Sequence, residues 1–143
     1  MHRGVNLTAL RWNEKGNEYM RKQEYGKAIE CYEKAIKTMP ESEKLWTNKG
    51  YAYLCKGEYE LALKCFERAI EINPAYHKAW FNKGETLAKM GMDGNATRCY
   101  IKAMYFRNET EWLYALREES IDPCDEFITR RMEEVRHGIS KYL

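Results

Sequence analysis

At 143 residues, with 44% apolar and 32% charged side chains, the chain is long enough for one packed domain and too apolar to remain disordered. Lys and Arg number 24 against 22 Asp and Glu, and the resulting formal charge of +2 lacks the basic footprint of a nucleic-acid binder. No apolar run approaches the roughly 20 residues that cross a bilayer, and the opening MHRGVNLTAL has no apolar signal core, so the cytoplasm is the expected compartment, with no membrane or nucleic-acid partner.

Apolar residues recur at helical spacing, which predicts helices at about 8–21, 26–38, 43–55, 60–72, 77–90 and 94–106. The second of them is typical. Ala28, Ile29, Tyr32, Ala35 and Ile36 form one face, and Glu30, Glu33, Lys34 and Lys37 form the other. The stretches around Lys22–Tyr25, Lys56–Tyr59 and Gly91–Gly94 interrupt the pattern as turns, while Pro40 and Pro74 close the second and fourth helices. Beyond them, Thr110 to Glu118 reads as a further helix with Trp112, Leu113 and Leu116 facing inward. Asp122-Pro123 then reads as the start of a last helix, running to about Lys141, with an apolar stripe from Phe127 through Ile128, Met132, Val135 and Ile139 to Tyr142.

These elements repeat. Steps of 34 residues align Trp12, Trp46 and Trp80; Lys15, Lys49 and Lys83; Gly16, Gly50 and Gly84. Further along the step come Ala28, Ala62 and Ala96; Cys31, Cys65 and Cys99; Tyr32, Phe66 and Tyr100; and Ala35, Ala69 and Ala103. Small residues at Gly16 and Ala28 belong where two helix backbones approach closely, because a large side chain there would force the arms apart.

The pattern Trp12-x2-Lys15-Gly16-x2-Tyr19, then Ala28-x3-Tyr32-x2-Ala35 and Pro40, resembles the tetratricopeptide repeat, and the resemblance covers about residues 9–108. It implies an all-α fold, a right-handed superhelical solenoid of antiparallel helix hairpins. One domain over 1–143 is expected, with repeats at about 9–42, 43–76 and 77–110 and capping helices at about 110–142. The chain departs from the family where Lys15, Lys49 and Lys83 replace a leucine before the glycine. Their stems are expected to pack and their ammonium groups to reach water. In the third repeat Leu87 replaces the aromatic, Asn108 stands in place of the closing proline, and the turn Gly91-Met92-Asp93-Gly94 is expected to be looser.

Such arrays usually bind a peptide along the concave face formed by the first helix of each hairpin. By that resemblance the groove is lined by Leu10, Asn13, Asn17, Met20, Arg21, Lys44, Thr47, Asn48, Tyr51, Lys78, Phe81, Asn82, Glu85 and Lys89. Cations outnumber the one carboxylate, which favours an acidic segment or a C-terminal carboxylate of another protein. Some family members clamp a carboxylate with two asparagines and three cations. Asn17 and Asn48 match the asparagines and Lys78 matches one cation, but Asn13 and Asn82 occupy the places of the other two. The alternative for these asparagines is hydrogen bonding between helices.

The residue inventory suggests no chemistry. Five cysteines occur without a CxxC pair, and His2, His77 and His137 are scattered, so no metal, cofactor or catalytic constellation is expected. Cys31, Cys65 and Cys99 read as small core fillers, whereas Cys55 and Cys124 read as more accessible. The expected role is that of an interaction scaffold or adaptor. The alternative is a self-associating module that forms a homodimer through the stripe of its last helix.

Overall fold

In a computed structural model of the protein, residues 6–107 are described, together with 130, 133 and 134. Six helices follow one another: α1 (Leu7–Arg21), α2 (Tyr25–Thr38), α3 (Glu43–Lys56), α4 (Tyr59–Ile72), α5 (His77–Lys89) and α6 (Asp93–Phe106). No strand occurs among the described residues. The expected tail helices, with the Phe127–Tyr142 stripe and Cys124, lie outside those residues.

Local chemistry explains the helix boundaries. Asn6 caps α1 by accepting from the Ala9 amide at 3.1 Å, and Ser42 caps α3 by accepting from the Leu45 amide at 3.4 Å. Within each hairpin the first helix ends at a left-handed residue: Gln23 at φ 61°, Gly57 at φ 86° and Gly91 at φ 78°. Glycine reaches this conformation without a Cβ clash, so Gln23 is the strained member of the set. The amides of Glu24, Glu58 and Met92 each donate to the carbonyl five residues back, at 2.9 Å in all three cases. The third turn, expected to be looser, therefore closes by the same bond as the other two.

Helices pack as antiparallel pairs, α1 with α2, α3 with α4 and α5 with α6, and α2 and α4 also pack against the helix that follows them. The first helices form one row, in which α3 also touches α5, and the second helices form the other. Close approach of the arms depends on the repeated glycine. A Cβ on Gly16 would come within 2.6 Å of the Tyr32 ring, one on Gly50 within 2.6 Å of Phe66, and one on Gly84 within 2.7 Å of Tyr100. On the facing helix, Ala28, Ala62 and Ala96 are buried, as are Ala35, Ala69 and Ala103.

Of the lysines before those glycines, Lys15 is exposed, while Lys49 and Lys83 are partly buried and turn to carboxylates of the hairpin before. Lys15, Lys49 and Lys83 lie 5.3, 5.2 and 5.4 Å from the ring centroids of Trp12, Trp46 and Trp80. Lys49 also reaches Glu33 at 3.5 Å and Lys83 reaches Glu67 at 3.9 Å, each pair joining a hairpin to the one before it. A half-buried ring face and a carboxylate on the neighbouring helix hold the cation more favourably than the solvent the stem would otherwise reach toward. At the same junctions the Trp46 indole N–H donates to the Pro40 carbonyl at 2.9 Å, and that of Trp80 to the Pro74 carbonyl at 2.8 Å.

Replacing Gly50 with alanine would place a methyl group against a ring that is fully buried and cannot move aside. The overpacking costs about 3 kcal/mol, of which the better helix propensity of alanine returns about 1 kcal/mol. Gly50→Ala is expected to lower the unfolding free energy by about 2 kcal/mol, read from urea denaturation.

Candidate functional site

The inner row of helices carries the residues that the sequence marks as a groove, but it presents them unequally. Arg21, Lys44 and Lys89 are exposed, and Leu10, Tyr51 and Lys78 are partly or largely open. Asn13, Asn17, Met20, Thr47, Asn48, Phe81, Asn82 and Glu85 are buried. On α5, Lys78, Phe81, Asn82, Glu85 and Lys89 share an arc of about 100°, since successive residues turn by about 100°.

The buried amides bond inside the protein. Asn48 Nδ2 donates to Asn13 Oδ1 at 2.9 Å, directly joining α3 to α1. The Tyr32 hydroxyl donates to Asn17 Oδ1 at 2.6 Å, and the Tyr100 hydroxyl donates to Glu85 Oε1 at 2.8 Å. Residues 17 and 85 occupy the same place two repeats apart, so these are one bond used twice. In the middle repeat Phe66 has no hydroxyl, and Tyr51 stands at the corresponding place. Asn17, Lys44, Tyr51, Lys78, Asn82 and Glu85 engage in contacts beyond these as well, so the inner face is no row of idle donors. Of the two readings that the sequence leaves open for the asparagines, bonding between helices accounts for Asn13 and Asn48.

A cleft of about 610 Å³ opens between α3 and α5 at the end of the row. Tyr51, Glu85 and Lys89 line it, as expected of groove residues. Lys56, Tyr59 and Ala88 line it too, and the sequence reading does not include them. They fall in or just past the last turns of the inner helices, and the left-handed Gly57 between Lys56 and Tyr59 brings the two together. Lys56 pairs with Glu58 at 3.5 Å, an exposed pair of small energetic weight. Among the described residues, no group of three His, Cys, Asp or Glu is arranged to hold a metal ion.

Burial sorts the thiols. Desolvation raises the Cys65 thiol to about 11 and pushes those of Cys31 and Cys99 upward, which keeps these core sulfurs protonated and unreactive. Cys55 is exposed at the rim of the cleft, and desolvation pushes its thiol upward as well, against a hydrogen bond with Tyr51 that lowers it.

The sequence matches the family model "TPR repeat" over residues 16–57 and "Tetratricopeptide repeat" models over 43–76 and 65–98, a continuous span from 16 to 98. Its helices, hairpins and glycine contacts follow the same period. The chain is a tetratricopeptide-repeat protein.

Solved structures of other tetratricopeptide domains are similar to it. The second such domain of Spaghetti (RPAP3), bound to the HSP90 peptide SRMEEVD, is 27% identical with a TM-score of 0.67, over 70% of this chain and 93% of that one. The first domain of Spaghetti, bound to the same peptide, is 21% identical with a TM-score of 0.69, over 95% and 96% of the two chains. The Sgt2 domain from Aspergillus fumigatus is 23% identical with a TM-score of 0.66, over 93% and 82%. No curated protein sequence matches significantly. Among the described residues of this tetratricopeptide-repeat protein, no helix is long and apolar enough to cross a membrane.

Two outcomes test this account of the inner face. Asn48→Ala leaves the Asn13 oxygen buried without its donor and is expected to cost about 2 kcal/mol. The Asn13→Ala, Asn48→Ala double variant should cost less than the sum of the two single variants by about 1 kcal/mol, as read from a denaturation cycle. The second outcome concerns His77, at the start of α5. Burial, then Lys78 and Arg107, lower its pKa from 6.5 to about 4. The unfolded chain therefore takes up a proton between these pH values that the folded chain refuses. The resulting stability is complete above about pH 6.5 and is lost as pH falls toward about 4. The melting temperature should drop less across that window for His77→Gln than for the wild type.

Proposed function

We propose that this tetratricopeptide-repeat protein is an interaction module that takes a short, extended, acidic segment of a partner protein, ending in a free carboxylate, along its inner face. The observation that carries this reading is the open cleft between α3 and α5, with Tyr51 and Tyr59 for an apolar side chain and Lys56 and Lys89 for its anionic neighbours. Arg21 and Lys44 extend the positive lining along the row, and Lys78 lies on the same arc of α5 as Lys89. Similarity to a domain whose structure holds the peptide SRMEEVD supports the choice of an acidic chain end.

The proposed mechanism differs from a clamp of two asparagines and three cations. Asn48 and Asn13 are bonded to each other, and neither Asn13 nor Asn82 can supply a positive charge. Carboxylate recognition is therefore assigned to the lysines, point charges on flexible stems that tolerate variation in the peptide, and to the planar guanidinium fork of Arg21, with the buried amides fixing the spacing of the helices beneath them.

The test is a titration with a fluorescent peptide of sequence SRMEEVD, comparing the wild type with Lys78→Glu, Lys89→Glu and with the same peptide amidated at its C-terminus. Binding is expected to weaken at least about tenfold in the double variant, and also on amidation, since a charge-assisted hydrogen bond contributes about 1.5–3 kcal/mol. Absence of binding, or equal binding by the double variant with its melting temperature retained, would overturn the proposal.

A further inference from the structure

The period breaks on the opposite side of the molecule, and the break builds a second cleft. On α5, Trp80, Lys83 and Leu87 share an arc of about 60° that faces away from the groove residues. Together with α6 they line a cavity of about 540 Å³, floored by Trp80, Leu87 and Cys99 and rimmed by Lys83, Arg98 and Lys102.

In the second repeat the matching cation is neutralised. Arg68, one step before Lys102, is held by Glu41 at 3.0 Å and by Glu71 at 3.1 Å. One step on, Ala75 replaces Glu41 and Tyr105 replaces Glu71, so Lys102 instead lies 4.3 Å from the Trp80 ring centroid. In the first repeat Glu30, Glu33 and Lys34 stand at the places of Arg98, Ile101 and Lys102, with Lys34 4.3 Å from the Trp12 ring centroid, and in the second Lys64 and Glu67 stand at those of Arg98 and Ile101. The third repeat thus keeps the cation that Lys34 and Arg68 supply at the place of Lys102, and loses carboxylates around it, with Ile101 where both neighbours have Glu and Tyr105 where the second repeat has Glu71. Ile101 is 54% exposed and Tyr105 82% exposed, large apolar surface on a stripe that is solvated and charged in the other repeats. Among the described residues, neither Arg98 nor Lys102 forms an ion pair, whereas Lys83 is paired with Glu67 at 3.9 Å.

We infer that this outer cleft of the third repeat is a second binding site, distinct from the inner groove, for an acidic segment of a partner protein carrying a Leu or Phe side chain. The apolar side chain enters over Trp80, Leu87 and Cys99 while flanking carboxylates meet Arg98 and Lys102. Arg98 and Lys102, beside a Lys83 that already holds Glu67, suit a pair of carboxylates. A nucleic acid would need a track of phosphate contacts several times longer. No terminal carboxylate is required, because the cations surround the pocket rather than closing one end of it.

The probe is a twelve-residue peptide of Glu and Leu, acetylated and amidated, titrated into the ¹⁵N-labelled full chain. The Trp80 indole N–H is followed after assignment through Trp80→Phe, and affinity is measured by anisotropy. The expected result is saturable binding that shifts the Trp80 signal. Affinity should fall at least about tenfold in Arg98→Glu, Lys102→Glu and change by less than about twofold in Lys78→Glu, Lys89→Glu. Should the reversal variant fail to fold by circular dichroism, Arg98→Gln, Lys102→Gln replaces it, with a weaker loss in the same direction. The inference is overturned by absence of binding, by binding that only the inner-face variant abolishes, or by displacement of the peptide by a short RNA of equal charge. Because the probe has no free carboxylate end, failure here leaves the inner-face result standing, and the reverse also holds.

Discussion

The contact between a glycine on the first arm of each hairpin and an aromatic ring on the second sets the geometry on which the rest of the structure depends. With no Cβ at positions 16, 50 and 84, the rings of Tyr32, Phe66 and Tyr100 come close against the opposing helix. This fixes how near the two rows of helices stand. That separation brings the Tyr32 hydroxyl within reach of Asn17 and the Tyr100 hydroxyl within reach of Glu85. It also sets the pitch at which Asn48 meets Asn13 across the inner row. Packing and polar bonding are therefore not separate layers of stabilisation here: the second is possible only at the distance the first imposes.

Much of this was legible in the sequence, because it is written three times. A residue recurring at one phase of a 34-residue step must meet a recurring environment, so Gly16, Ala28 and Ala35 could be assigned to close contacts and Cys31, Cys65 and Cys99 to the core before any coordinates. The helix ends followed from the same punctuation. What periodicity does not carry is the partner of each polar side chain. Asn48 reads equally well as a donor to a ligand or to Asn13, and only the distance between helices decides. The lysines before the glycines pose the same problem, since nothing in a single step tells that Lys49 will cross to Glu33 of the preceding repeat. The most informative positions on the outer face are those that fail to repeat, such as Ala75 and Tyr105 where Glu41 and Glu71 stood.

The two clefts lie on opposite faces of α5 and have no lining residue in common. On the inner side the buried amides and the tyrosine hydroxyls hold helices together beneath the cations to which recognition is assigned by proposal. On the outer side Lys49 and Arg68 of the second repeat are paired with carboxylates, and the third repeat carries Ala75, Ile101 and Tyr105 where the second has Glu41, Glu67 and Glu71.

The indole bonds at the junctions have one more consequence. Trp46 with Pro40, and Trp80 with Pro74, each span six residues, so this bond lies within a seven-residue segment, while the Lys49–Glu33 and Lys83–Glu67 pairs at the same junctions cross to the hairpin before. A unit copied in tandem carries the indole bond with it, and the lysine before its glycine meets the carboxylate that the preceding copy presents. Duplication of whole units supplies both halves of the joint, which leaves the exposed stripes free to diverge one copy at a time.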